Sequence, residues 1–583
     1  MHKRAKFGML GVLAALLWFA APLCAGETSP RSSAIAVFPS RVMLHHREAK
    51  QRLLVQRIEG AKIAGQIHDD VVWSVADPEI AKIERGVVIP LMNGATRATA
   101  RSGDETAEIE ILVSGQEASF TWSFRNHVES VLSKSGCNGG ACHGARAGQK
   151  GFRLTLFGYD LDADYTYLTR QATGRRISPT DPGRSLLLTK PTGMTPHKGG
   201  IRFEPDSLEY RVLAEWIAAG TPGPSDSDPV VTKLEVLPAH SIQQRGAKQQ
   251  LVVLAHFSDG TVEDATAWAK YTSDNISIAT VDDRGLVQIE NSGESAIKIW
   301  HQNLTALAFV TAPFDQTVPT ELYEVAEGGG FIDELINAKL QSLQIAPSPR
   351  CDDATFLRRA YLDTVGVLPT ADEAKAFLAD ARPDKRRRLV DSLLSRPEFV
   401  DYWAYKWSDL LLVNSEQLRP PAVKAYYGWI RQKVQENAPW DQMISELITA
   451  RGSTLENGAA NFYALHKDPE TTAETVAQAF LGLSINCAKC HNHPLEKWTN
   501  DQYYGMANLF ARVRTKNTGA VVKDGDVFVF SDVRGELIQP SKGKPQPPRP
   551  LDPARQLQAA IQHARLIAAD HGDRLIGHGA DAE

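Results

Sequence analysis

The stretch Trp73-Ser74-Val75-Ala76-Asp77-Pro78-Glu79-Ile80-Ala81-Lys82-Ile83-Glu84-Arg85-Gly86-Val87-Val88 returns later in the chain. Its counterpart is Tyr271-Thr272-Ser273-Asp274-Asn275-Ile276-Ser277-Ile278-Ala279-Thr280-Val281-Asp282-Asp283-Arg284-Gly285-Leu286-Val287. Trp73-Ser74 matches Tyr271-Thr272, Ile80-Ala81-x-Ile83 matches Ile278-Ala279-x-Val281, and Gly86-x-Val88 matches Gly285-x-Val287 after one inserted residue. A repeat at such long spacing points to a duplicated domain and not to a solenoid. Around each copy, short runs alternate apolar and polar residues, as in Ala34-Ile35-Ala36-Val37-Phe38 and Ala107-Glu108-Ile109-Glu110-Ile111-Leu112-Val113. Leu234-Glu235-Val236 and Gln250-Leu251-Val252-Val253-Leu254 do the same, with Ser258-Asp259-Gly260-Thr261 as a hairpin turn. The reading is two antiparallel sandwiches, at residues 33–115 and 230–313.

Between the copies, residues 120–222 follow another pattern. A helix is expected from Thr121 to Ser133, just before Cys137-Asn-Gly-Gly-Ala-Cys142-His143. A second is expected from Ser207 to Ala219, with Leu208, Val212 and Trp216 on one face. Small cytochromes c are built this way, with one helix leading into the attachment motif and a terminal helix crossing it.

From Leu322 to residue 514 the period becomes helical. Leu357, Tyr361 and Val365 share a face, as do Phe399, Trp403 and Trp407, and Val476, Phe480 and Leu483. Thr370-x-x-Glu373 reads as a capping box, and Pro349, Pro369, Pro383, Pro397, Pro420 and Pro439 mark helix starts and breaks. Late in this region stands Cys487-Ala488-Lys489-Cys490-His491. Residues 515–583 are rich in Gly, Lys and Pro and read as a linker with one short helix, Ala554 to Ala569.

Composition bounds the rest. The chain has 583 residues, 43% apolar and 23% charged, with a net charge of −5. That is a globular composition for about three to five domains. No basic footprint calls for nucleic acid. Lys3, Arg4 and Lys6, the apolar run from Gly8 to Phe19 and the small residues up to Ala25 form an export signal at residues 1–25. Nothing after it is apolar enough to span a membrane. Leu23 makes a poor lipobox before Cys24, and Cys351 is left over once the two cysteine pairs are set aside.

Cys487-x-x-Cys490-His491 has the spacing that attaches a c-type haem. Two thiols on one turn reach the two vinyl groups, and His491 lies beneath the iron as an axial ligand. A disulfide, or a zinc site using Cys487, Cys490 and one or both of His491 and His493, remains open, the latter lacking an obvious fourth ligand from a second spaced pair. Met506 is a candidate distal ligand, and His466 precedes the helix that feeds the motif. For Cys137-x4-Cys142-His143, haem stands beside a disulfide, which export would permit. Here Met194 or His197, in Gly193-Met194-Thr195-Pro196-His197-Lys198-Gly199-Gly200, lies where small cytochromes carry their distal ligand. No Ser/His/Asp array, phosphate loop or metal-peptidase motif is present. Trp498 and the aromatic set Tyr402, Trp403, Trp407, Tyr426, Tyr427 and Trp429 read as core. Lys385-Arg386-Arg387-Arg388 reads as a solvated face.

Both sandwiches resemble bacterial immunoglobulin-like domains of group 2, through Trp73-x-x-x-x-x-x-Ile80-Ala81 and its counterpart. The whole order resembles the large exported planctomycete cytochrome c-like proteins. That resemblance is carried by Phe356-Leu357-Arg358-Arg359-Ala360-Tyr361-Leu362-Asp363, Gly366-x-Leu368-Pro369-Thr370, and Cys487 to Pro494 with Tyr503-Tyr504. In the middle segment it is carried by Cys142-His143-Gly144 and Pro196-His197-x-Gly199-Gly200. The resemblance implies haem binding at the cell envelope, discussed alongside polysaccharide breakdown. Relatives continue into a second large domain where this chain stops. The expected fold class is therefore multidomain. It comprises two all-β immunoglobulin-like sandwiches, a small α-helical cytochrome c-like domain between them, and an all-α C-terminal domain.

The expected function is electron transfer by an exported protein of the periplasm or cell surface, carrying one or two haem c groups, with the sandwiches as spacers. Expected partners are envelope redox proteins, with polysaccharide or cell-surface components as a further class. An envelope scaffold with disulfides, or a haem oxidoreductase acting on carbohydrate, are the competing readings.

Overall fold

A computed structural model describes residues 34–60, 62–324, 329–493, 496–517 and 526–551. The expected export signal with Cys24, Pro494 and the expected helix at Ala554–Ala569 lie outside the described residues.

The first copy contains β1 (Ala34–Phe38), β2 (Arg41–Leu44), β3 (Gln51–Arg52), β4 (Leu54–Glu59), β5 (Lys62–Ile67), β6 (Val72–Val75), β7 (Ala81–Glu84), β8 (Val87–Pro90), β9 (Gly94–Ser102) and β10 (Glu105–Val113). They form three small sheets in the orders β1-β4-β5, β2-β10-β9-β6 and β3-β8-β7. All pairs are antiparallel except the edge pair β2–β10. The second copy contains β11 (Val231–Leu237), β12 (His240–Ile242), β13 (Lys248–Gln250), β14 (Val252–Phe257), β15 (Val262–Asp264), β16 (Lys270–Ser273), β17 (Ala279–Val281), β18 (Leu286–Ile289), β19 (Gly293–His301) and β20 (Leu304–Ala312). Its sheets repeat the same orders with every number raised by ten. In β10 the alternation buries Ile109, Ile111 and Val113, as a half-covered strand requires.

The repeat signature has a packing reason. A Cβ at Gly94 would come within 2.7 Å of Ile80 Cδ1, and one at Gly293 within 2.7 Å of Ile278 Cδ1. Each isoleucine of the repeat fills the space its glycine leaves.

The copies lie side by side, whereas spacers would hold their neighbours apart. Leu54, Val252 and Leu254 form one apolar cluster, flanked by Phe38, Leu237 and Val262. Around it the Arg52 amide donates to Asp264 Oδ2 (2.7 Å), and Gln66 Oε1 accepts from the Gln250 amide (2.7 Å) and from Gln249 Nε2 (3.0 Å).

The segment between the copies is seated on both. It opens at Ser123, whose side chain accepts from the Asn126 amide, on a single π-turn, Phe124–Val128, which runs into helix Glu129–Lys134. The expected start at Thr121 is three residues early, because Ser123 supplies the cap and the helix begins at Phe124. The last helix, Leu208–Ala218, buries Val212, Leu213, Trp216 and Ile217, and Trp216 meets Phe124 at 5.7 Å. Toward the first copy, Phe120 stacks on His46 (4.6 Å) and Arg211 pairs with Glu48 (2.7 Å). Toward the second, Trp122 and His127 meet Trp268, Phe157 meets Trp300, and Asn126 Nδ2 donates to the Pro229 carbonyl (3.0 Å).

The C-terminal region is mainly helical. Thr370 and Glu373 form the expected capping box, and Pro397 and Pro420 sit in first helical turns. Leu357, Tyr361 and Val365 are buried in one cluster with Phe377 and Leu393. A larger core holds Tyr426, Phe462, Trp498 and Tyr503.

The expectation of an all-α domain ending at residue 514 needs correction. Gly452–Ser453, Val513–Asn517 and Val527–Ser531 pair as a three-stranded antiparallel sheet, and Val529 and Leu551 enter the larger core. The run Val527-Phe528-Val529-Phe530 is β-branched and aromatic throughout, a strand signal hidden in Gly-rich and Pro-rich surroundings. Residues 526–551 therefore belong to the domain, and the linker reading fails for them.

Candidate functional site

The first Cys/His loop is a tightly wound turn. The Cys142 amide donates to the Gly139 carbonyl (2.9 Å), the His143 amide to the Cys137 carbonyl (2.9 Å), and the Gly144 amide to Gly139 (3.0 Å). A Cβ at Gly144 would stand 1.9 Å from the Asn138 carbonyl oxygen, so only glycine fits there. Under the loop, buried Asn138 donates through Nδ2 to Glu129 Oε1 (2.7 Å) and Ser133 Oγ (2.7 Å). Two acids lie beneath it. Burial raises the Glu129 carboxyl well above its ordinary range, and the charge of Asp164 adds to this. Burial lifts Asp164 to about 7, against hydrogen bonds from the Thr155 side chain and amide.

Within the loop, burial pushes the Cys137 thiol up to about 12, opposed by nearby Arg202. Arg202 Nη2 donates to Cys142 Sγ at 3.4 Å. His143 Nδ1 faces the Phe152 carbonyl at 3.0 Å, and its ring packs on Phe152. Burial lowers the His143 proton affinity, and the Phe152 carbonyl opposes the shift. Of the two distal candidates, Met194 is 67% exposed. His197 instead brings its ring to 6.4 Å from that of His143, with the planes 7° apart. Its Nδ1 faces the Gly200 carbonyl at 2.9 Å.

The second loop is more open. Cys487 and Cys490 are both exposed, Cys487 on a 3-10 turn spanning Asn486–Lys489 and Cys490 at its C-cap. Asn500 clamps that turn from below, donating through Nδ2 to the carbonyls of Ala488 (2.7 Å) and Lys489 (2.9 Å). Lys489 pairs with Glu470 (3.3 Å). His491 Nδ1 faces the carbonyl of Asn492, its own neighbour, at 2.7 Å. Tyr159 of the middle segment brings its ring to 6.2 Å from that of His491, so the second loop meets the first loop's domain.

Met506 is 4% exposed and packed into the larger core, so ordinary packing accounts for it. His466 is buried with Nε2 unpartnered among the described residues, and burial pushes its proton affinity down to about 4. Trp498 is core, as expected. Cys351 lies apart from both loops, its carbonyl accepting from Arg386.

All five described cysteines are free thiols. The donor set of each loop, two thiols and an imidazole with Nδ1 facing a carbonyl, fits covalent haem with Nε2 as the iron ligand. Asn138, Phe152, Arg202 and Asn500 were missed by the motif reading. Of these only Asn138 had a local signal, its place inside the cysteine spacing.

No curated protein matches the chain. Among solved structures, two domains of the S-layer protein SbsC overlap 48% of this chain and 98% of their own, at 12% identity and TM-score 0.21. A longer crystal structure of that protein overlaps 49% of this chain at 11% identity and TM-score 0.14, and the chain spans only 28% of it. A SusE-like surface located polysaccharide binding protein from Bacteroides thetaiotaomicron overlaps 48% of this chain and 34% of its own, at 9% identity and TM-score 0.11. These overlaps are too low to carry an argument. Among the described residues, no helix is long and apolar enough to cross a membrane. Two family models match parts of the chain: residues 331–515 carry a domain of the protein family of unknown function DUF1549 (PSCyt2), and residues 230–307 carry a bacterial Ig-like domain of group 2.

Proposed function

We propose that this is an exported c-type haem-binding protein of the cell envelope that moves electrons. The observation that carries the reading is the recurrence of one donor set on two unrelated frames. Each has two free thiols on a turn and a histidine whose Nδ1 faces a backbone carbonyl. A carbonyl at Nδ1 fixes the tautomer and leaves the Nε2 lone pair for a metal. Cys137, Cys142 and His143 would hold one haem, and Cys487, Cys490 and His491 another. Bound there, the haem supplies a one-electron redox centre. The protein would supply the two attachment thiols and one histidine ligand at each loop, and the surroundings of each loop would tune the potential. Envelope redox proteins are the partners this reading requires. The sandwiches supply the body on which the first loop is mounted.

The test is a pyridine haemochrome spectrum with mass spectrometry on chain exported from a host with c-type haem maturation. Two haem mass additions, one lost with Cys137→Ser and one with Cys487→Ser, are the expected result. No haem, with masses showing Cys137–Cys142 and Cys487–Cys490 disulfides, would sink the reading and leave an envelope scaffold.

A further inference from the structure

We infer that His143 and His197 are the two axial ligands of one iron, and that Met194 takes no part. This rests on the haem reading above and adds the distal ligand, and with it the class of redox centre.

The geometry is specific. An imidazole nitrogen sits about 2 Å from a first-row metal and its ring centroid roughly 1 Å further back, so two imidazoles on opposite sides of one metal hold their centroids roughly 6 Å apart. The rings of His143 and His197 stand 6.4 Å apart, with planes 7° from parallel. Parallel rings at that separation fall within the range of an ordinary ring contact, and the same separation also suits an atom held between them.

Each ring is also turned for the task. Nδ1 of His143 faces the Phe152 carbonyl and Nδ1 of His197 the Gly200 carbonyl, so each Nε2 is the free acceptor. A Cβ at Gly199 would stand 2.8 Å from His197 Cε1 and 3.1 Å from its Nε2. Glycine at 199 keeps the ligating edge of His197 open.

The loop carrying His197 is tied down. Lys190 Nζ donates to the Pro196 carbonyl (2.9 Å), and the Arg202 amide to the Pro191 carbonyl (2.7 Å). The Arg202 guanidinium reaches Cys142 Sγ in the facing loop. Arg176, Lys190 and Arg202 make the surroundings cationic, which suits a ligand with two carboxylates. Met194, by contrast, projects into solvent. Two imidazoles make a six-coordinate iron, suited to electron transfer and lower in potential than an imidazole–thioether pair.

The test uses full chain carrying Cys487→Ser and Cys490→Ser, so that any haem is on the first loop. Electron paramagnetic resonance and near-infrared magnetic circular dichroism of the oxidised protein read the ligand pair. The expected result is a low-spin bis-imidazole signature, converted to high spin by His197→Ala, restored by added imidazole, and untouched by Met194→Ala. A thioether signature, or a spectrum that responds to Met194→Ala and not to His197→Ala, overturns the inference while leaving the haem reading intact. Absence of haem from the double variant and from the otherwise unchanged chain overturns both. If only the double variant folds poorly, the His197→Ala difference spectrum of the otherwise unchanged chain decides the same question.

Discussion

The two Cys/His loops share a donor set and differ in almost everything that surrounds it. The first is wound on its own backbone, sits over buried Asn138 and two acids, and faces a second histidine across a fixed gap. The second is an exposed turn held by one asparagine, with the histidine leaning on its own neighbour's carbonyl and a tyrosine from another domain nearby. The sequence spacing would rank them the other way, since Cys487-x-x-Cys490-His491 is the closer match to the attachment motif. The lesson is that thiol spacing reports attachment chemistry, whereas the second and third ligands of a site come from tertiary structure.

The contrast breaks most visibly at Gly144. Alanine there must displace the Asn138 carbonyl, at a cost on the order of 3 kcal/mol or more. Haem loading of the first loop should fall sharply and that of the second should not. Thermal unfolding and per-loop haem mass check this, and an unchanged melting temperature would show that the first loop is not constrained as described.

The next largest effect is in pH. Asp164 binds its proton more tightly in the folded chain than unfolded, so the stability it contributes is present below about pH 4 and is lost as pH rises to about 7. Glu129 shifts in the same direction. In the C-terminal region the sign reverses. His466 is held neutral, so stability is lost there as pH falls from about 6.5 toward 4. His127 and His301 share that sign, so the comparison of wild type with Asp164→Asn isolates the acid. Asp164→Asn should flatten the middle segment's dependence across that window. Hydrogen exchange resolved by domain reads both signs.

Asn500→Ala removes both hydrogen bonds under the second turn and should cost about 1.5 kcal/mol. It should speed alkylation of Cys487 and Cys490 without changing that of Cys137. The smallest effect is Tyr159→Ala. Loss of one ring contact should loosen the two domains by less than about 1 kcal/mol, seen as faster exchange around His491 with the first loop unaffected.

What was readable in advance was local. The repeat could be read because strand alternation and the Gly94–Ile80 type of contact act over short stretches. Leu357, Tyr361 and Val365, and the Thr370 cap, could be read for the same reason. The contact between the sandwiches could not, because Gln66, Gln249, Gln250 and Asp264 read as solvated side chains until a partner covers them. Residues 526–551 were misread because proline and glycine masked a strand. At the first loop, the cysteines and His143 were legible, and His197 stood beside Met194 as an equal candidate. Only folding, which leaves one in solvent and brings the other to face His143, separates them.

The middle segment hangs between two copies of a domain that also grip each other. Phe120 at its entry stacks on His46 of the first copy, and Trp122 and His127 rest against Trp268 of the second. It is therefore a loop closed by its hosts, and cannot turn about a single tether. Most of the orientational search that a tethered carrier must make before each encounter is removed in advance. Whatever approaches the first loop meets it at a fixed angle.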